Sequence, residues 1–181
     1  VVRVYLGYEW ISAGWPKLFG AQRDAWTGDG SAVLGYLQFA TTDLAQGDHP
    51  ALAYGWWRGF LEWVIDSRAY ETVAWAVAIG EVTVGVALIL GMFTGIFAFA
   101  GVLLNFTFMF SGSAGVNPLY ALLGILLVMA WRNAGYYGVD RWLLPALGTP
   151  EAPGWVWRRG TAVRATGAGV TALREEERPA A

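Results

Sequence analysis

Apolar residues along this chain gather into four long runs, parted by shorter polar or glycine-rich stretches. A helix that crosses a bilayer needs roughly 20 mostly apolar residues. Four segments meet that length: about 1–19, "VVRVYLGYEWISAGWPKLF"; about 69–91; about 93–111, "FTGIFAFAGVLLNFTFMFS"; and about 117–136, "NPLYALLGILLVMAWRNAGY". Only "GMFTG" parts the second run from the third, and "GSAGVN" parts the third from the fourth. Both read as tight turns between antiparallel helices. The pattern predicts an all-α membrane protein: a bundle of four transmembrane helices in up-down order, which satisfies every backbone polar group inside lipid. Asn117-Pro118 is read as the start of the fourth span, with Pro in the first turn and Asn capping it.

The long first connection, 20–68, has a different period. "ALAYGWWRGFLEWVID" places Ala53, Trp56, Trp57, Phe60, Leu61 and Val64 on one helical face, and Arg58, Glu62 and Asp66 at i, i+4 and i+8 on the other. That is the pattern of an amphipathic helix lying in the membrane interface. "GSAVLGYLQFAT" reads as a second short helix in the same connection. Beyond Pro153 the chain turns polar. The expected organisation is a transmembrane domain over 1–150 and a polar C-terminal tail over 151–181, ordered against a partner.

Composition sharpens this picture. The chain is 56% hydrophobic and 14% charged, with 11 Trp and a mean hydropathy of +0.41. A soluble domain typically carries about 25% charged residues. A net charge of −2 gives no electrostatic case for nucleic-acid binding. There is no cysteine and one histidine, His49, in a loop beside Pro50. Thiolate zinc sites, iron–sulfur clusters and bis-histidine haem therefore have no ligands in this chain, and no metal or haem is expected on it. Any redox chemistry would use an organic carrier such as a quinone, or a centre on a partner subunit. The sequence begins at Val1 rather than Met, so the numbering is expected to start inside a longer chain; no signal-peptide cleavage pattern is visible.

Charge also sets an expected orientation. Arg141, Arg158, Arg159, Arg164, Arg174 and Arg178 follow the fourth run, and Arg132 lies just inside its end. The positive-inside rule then puts both termini in the cytoplasm, with Arg3 in accord, and the long connection outside. Trp15, Trp26, Trp56, Trp57 and Trp63 would form an outer aromatic belt, and Trp131, Trp142, Trp155 and Trp157 an inner one. Gly7, Gly14, Gly80, Gly85 and Gly101 are read as points of close helix approach.

Two acids interrupt this apolar pattern. Glu81 lies in the first half of "VAIGEVTVGVALILG", and Glu9 in "VYLGYEWISAG". Ionisable residues inside membrane spans are costly and commonly functional. By helix rise, Glu81 sits roughly 15 Å and Glu9 roughly 12 Å from the cytoplasmic ends of their spans. The two carboxylates are therefore expected at similar depth, able to face each other and to share a proton. The alternative is structural: each acid bonds within the bundle, or Arg132 neutralises one of them. Asn105 is a polar amide able to bind a quinone carbonyl or to bridge helices. Trp10 and Trp75 neighbour the acids and would wall a flat ring pocket or pack the core. Lys17, after Pro16, would snorkel outward or contact an anion.

Four blocks, "RVYLGYEWISAGWPKL", "GEVTVGVALILGMFTG", "NFTFMFSGSAGVNP" and "AWRNAGYYGVDRWLLPALGT", together resemble the DoxX family of small four-helix membrane proteins. The resemblance covers most of 1–150. Through DoxD, a relative linked to thiosulfate:quinone oxidoreductase, it implies a quinone-linked redox role in the cell membrane of a prokaryote. It carries Glu9 and Glu81, with Lys17, Asn105, Asn117, Asp140 and Arg141; Asp140 and Arg141 are expected to pair at the inner interface. The expected function is thus an integral membrane subunit of a quinone-linked oxidoreductase. Glu81 and Glu9 would handle protons, and Asn105, Trp10, Trp75 and Lys17 would contact the quinone. Expected partners are the lipid bilayer, other subunits of a membrane complex and the quinone. The alternative is a non-catalytic accessory subunit of a larger respiratory or photosynthetic complex. A transporter using the same acids is a weaker third reading, since no span is discontinuous.

Overall fold

The structure, a computed structural model, describes residues 1–42 and 50–148. His49 and the tail from 151 onward lie outside the described residues. The described chain is helical throughout, with no strand: α1 is Val2–Leu18, α2 Ser31–Thr41, α3 Gly55–Asp66, α4 Tyr70–Leu90, α5 Thr94–Phe110, α6 Asn117–Met129, α7 Trp131–Tyr136 and α8 Asp140–Leu147. A π-helical turn, Asp24–Gly28, sits between α1 and α2.

Helix α4, at 21 residues, is long and apolar enough to cross a membrane. Helices α5 and α6 are apolar but shorter, at 17 and 13 residues. The fourth apolar run is not one helix. It breaks at Ala130 (φ −101°, ψ 19°), and α7 follows as a separate helix. The break brings Trp131 against Gly95 at the start of α5, where a Cβ on Gly95 would meet the indole at 3.2 Å. Asn117 does not cap α6 either: its Nδ2 donates back to the Ser113 carbonyl at 2.6 Å, and Pro118 occupies the first turn as expected.

Helices α1, α4, α5 and α6 pack side by side. The closest pairs are α1 with α4 and α5 with α6; α4 joins α5 and α1 joins α6. Their common core holds Leu6 and Trp10 of α1, Val84 and Leu88 of α4, Ala98 of α5 and Leu127 of α6. The long connection folds over one end. There Val33, Leu37 and Ala40 of α2 and Leu61 and Val64 of α3 form a second core with Ala74 of α4. Helix α3 keeps the expected division: Leu61 and Val64 are buried, while Arg58 and Glu62 pair on the outer face at 2.9 Å. Trp56 and Phe60, however, stay 66% and 43% exposed rather than joining the buried face, and Ala53 is exposed ahead of the helix.

Glycines set the α1–α4 contact. A Cβ on Gly7 would fall 2.8 Å from the Gly85 carbonyl oxygen, and one on Gly85 would fall 2.7 Å from that of Gly7. Farther along, a Cβ on Gly14 would meet Glu81 and Val82 within 3.0 Å. The two backbones therefore touch where small residues permit it, the usual device for packing helices in lipid. Gly80 is different: only Leu104 comes near, at 3.8 Å, so close approach does not explain it.

Opposite the long connection, two charges tie off the bundle. Arg3 is buried and donates to the carbonyls of Ala134 at 2.7 Å, Tyr137 at 3.2 Å and Ile89 at 3.4 Å, linking α1 to the ends of α4 and α7. Asp140 is also buried, but it does not pair with Arg141. Its Oδ1 accepts from the Phe93 N–H at 2.6 Å and its Oδ2 from the Thr94 N–H at 2.8 Å. The carboxylate thereby satisfies orphan donors at the start of α5, where negative charge is favoured.

Gly7→Ala or Gly85→Ala should force α1 and α4 apart and destabilise the protein by about 1–3 kcal/mol, as overpacking does. Gly80→Ala should be close to neutral. Thermal unfolding of the purified variants in one detergent compares the three.

Candidate functional site

The α1–α4 register decides which polar groups meet. Gly7 lies against Ile89, Ile11 against Gly85 and Gly14 against Val82, so each pair of residue numbers sums to about 96. Lys17 is therefore level with about residue 79 of α4. Helical side chains lean toward their own N-termini. In antiparallel helices, Lys17 thus leans along α4 toward Glu81 while Glu81 leans back toward Lys17. They meet: Lys17 Nζ donates to both Glu81 carboxylate oxygens at 2.7 Å. The Lys17 side chain is 13% exposed and that of Glu81 3%. Lys17 does not snorkel outward. Pro16 and the end of α1 turn the chain back over it, and the Trp26 ring of the π-helical turn lies 4.2 Å from the ammonium. A cation over an indole face is held by the ring quadrupole.

The same register explains why the acids do not pair with each other. Glu9 is level with about residue 87 of α4, roughly 9 Å along the axis from Glu81 by helix rise. It also turns to another neighbour, accepting from the Tyr120 hydroxyl of α6 at 2.9 Å. Each acid has its own donor. Arg132 neutralises neither; it is exposed, with its guanidinium 5.5 Å from the Trp131 ring.

The Lys17–Glu81 pair borders a cavity of about 490 Å³. Its walls are mainly aromatic and aliphatic: Trp26, Tyr36 and Leu37 from the π-helical turn and α2, Trp57, Phe60 and Leu61 from α3, Val77 from α4 and Phe108 from α5. Its polar groups come from two directions. Lys17 and Glu81 belong to α1 and α4; Thr107, Ser111, Ser113 and Asn117 belong to the end of α5 and the turn into α6. Helices α2 and α3 roof this space, and both hydrogen-bond to Ser111. The Tyr36 hydroxyl donates to the Ser111 carbonyl at 2.8 Å, and Trp57 Nε1 donates to Ser111 Oγ at 3.2 Å. Burial pushes the Tyr36 phenol pKa up.

Of the six residues singled out from sequence, Lys17 and Glu81 line this cavity and the other four do not. Trp10 is buried behind its wall, 6.4 Å from the Phe108 ring, with its indole against Gly101. Asn105 is 1% exposed and donates to the Gly101 carbonyl at 3.0 Å; its Oδ1 has no partner among the described residues. Trp75 is 48% exposed, because its position in α4 faces outward. It walls no pocket. Sequence reasoning assigned Trp26 and Trp57 to the outer belt and left out Tyr36 and Ser111. The signal for Trp26 is weak, since a five-residue π-helical turn has no apolar period to read. Among the described residues no group of acids or His could hold a metal ion.

A buried ion pair is costly to break from one side, because the remaining charge has no partner. Lys17→Met and Glu81→Leu should each destabilise by about 3–5 kcal/mol, while the double variant should recover much of that loss. A double-mutant cycle on unfolding free energies measures the coupling.

In comparisons with known proteins, no family model matches the chain, and no curated protein or solved structure matches it either.

Proposed function

We propose that α1, α4, α5 and the α6–α7 segment all cross the bilayer, and that this chain is the membrane subunit of a quinone-linked oxidoreductase. The support for four spans is the outer surface of the bundle. Ile79, Val86 and Leu90 of α4, Ile96, Phe99 and Leu103 of α5, and Leu119, Leu122 and Leu126 of α6 are all exposed. Neither α5 nor α6 carries a charged residue. In water, so large an apolar surface would drive association; in lipid it is the expected outer face.

One observation carries the functional reading: a buried lysine–glutamate pair at the edge of an aromatic cavity at the end of this bundle. The cavity has the dimensions of a small-molecule site, and its apolar walls with few polar groups are typical of one. A planar ring with a carbonyl on each side matches walls of Trp26, Trp57 and Phe108 with donors from two directions. Lys17 has three N–H donors and Glu81 engages two of them. The third, beside the Trp26 face, is the donor for a ring carbonyl. Asn117 and Ser113 stand for the opposite carbonyl. Quinone reduction takes up two electrons and two protons to give the quinol. The electrons come from outside this chain, from thiosulfate or from a redox centre of a partner subunit. The chain's own part is to bind the ring and to give one proton from the Lys17 ammonium, held in place by Glu81; the second proton, and the one that recharges Lys17, come from solvent. The resemblance to the DoxX family agrees with this reading and rests on the quoted sequence blocks alone.

The test is equilibrium binding of a short-chain benzoquinone analogue to the purified protein in detergent. Saturable binding should weaken at least about tenfold in Glu81→Gln, the scale of one lost charge-assisted contact. Val77→Phe, which fills the cavity, should abolish it. Unchanged affinity in both variants would refute the assignment. No saturable binding at all, with co-purification in a large complex, would favour the accessory-subunit reading.

A further inference from the structure

Arg132 and Arg141 occupy the opposite end of the bundle, remote from the cavity. Arg132 follows the break between α6 and α7, and Arg141 opens α8. Both are exposed, and both line one recess of about 210 Å³ with Trp131, Tyr136 and Asp140. Each guanidinium lies near aromatic faces: Arg132 is 5.5 Å from the Trp131 ring, and Arg141 is 5.2 Å from Tyr136 and 5.8 Å from Trp142. Neither arginine has a carboxylate partner among the described residues. Asp140 is the acid in the wall, and both its oxygens are engaged by the Phe93 and Thr94 N–H groups. Two positive charges therefore share one recess with a single carboxylate, Asp140, which is turned to the α5 backbone, and the three groups together leave the recess net positive.

We infer that this recess binds the phosphodiester headgroup of an anionic phospholipid. Three features fit. Guanidinium groups bind phosphate oxygens in a forked geometry that ammonium groups lack. Trp142 and Tyr136, 68% and 54% exposed, are amphipathic rings of the kind that sit at headgroup level. Basic pockets at the ends of membrane helices are where anionic headgroups are held. The aromatic faces also limit the freedom of the two arginines, which lowers the ordering cost on binding. The site is distinct from the Lys17–Glu81 cavity and does not depend on its ligand; it depends on the bundle lying in a bilayer.

The experiment is native mass spectrometry of the full chain, extracted from vesicles of equimolar phosphatidylglycerol and phosphatidylcholine. Retained phosphatidylglycerol should exceed phosphatidylcholine, and Arg132→Gln and Arg141→Gln should each reduce that preference by about fivefold. Arg132→Lys/Arg141→Lys keeps the charge, should insert and fold, and should lose part of the preference. Inorganic phosphate in the extraction buffer should not displace the lipid. Equal retention of the two lipids, a preference unchanged in the glutamine variants, or complete displacement by phosphate would each overturn the assignment.

Discussion

The contact between the backbones of α1 and α4 governs the rest of this molecule. It is a close approach with no room for a Cβ at Gly7 or Gly85, so it fixes how far one helix can slide along the other. A slip of one turn would set a glycine against a branched side chain and would carry Lys17 about 5 Å along the axis from Glu81. The ion pair is thus a consequence of packing, and in turn it locks the packing. A buried charge left alone is worse than any modest misfit of apolar surface. Shape and charge select the same register.

That coupling also explains how much of the protein was legible in its sequence. The helices were, because their apolar runs answer to the surroundings of the chain one residue at a time. The expected runs at 69–91 and 93–111 differ from α4 and α5 by one residue at each end. The amphipathic helix after Tyr54 was legible for the same reason. The break at Ala130 was not, since nothing in "LVMAWRNAG" marks the place where the helix stops and Trp131 packs on Gly95. The site was half legible. Glu81 and Lys17 stand out as charges in apolar surroundings. Their pairing could not be read, because depth counted along each helix ignores the offset between helices, and a lysine near a helix end looks free to reach water. The same offset separates Glu9 from Glu81.

The aromatic residues show a related limit. Eleven tryptophans in so apolar a chain invite an interfacial reading for most of them. Trp75 faces outward, Trp10 packs inside, and Trp26 and Trp57 line the cavity. What separates them is the connection between α1 and α4, which folds back over the bundle rather than spreading along its surface. Its two helices bury a small core against Ala74 of α4, so the roof is held to the bundle by packing as well as by hydrogen bonds.

Ser111 gives that roof an unusual mechanical property. One residue at the end of α5 holds α2 through its carbonyl and α3 through its hydroxyl. The two roof helices therefore share this anchor, in addition to their common core against Ala74. A ligand that entered by lifting α2 alone would have to strain the residue that anchors α3. Loosening either roof helix therefore disturbs the anchor of the other, and the two respond together.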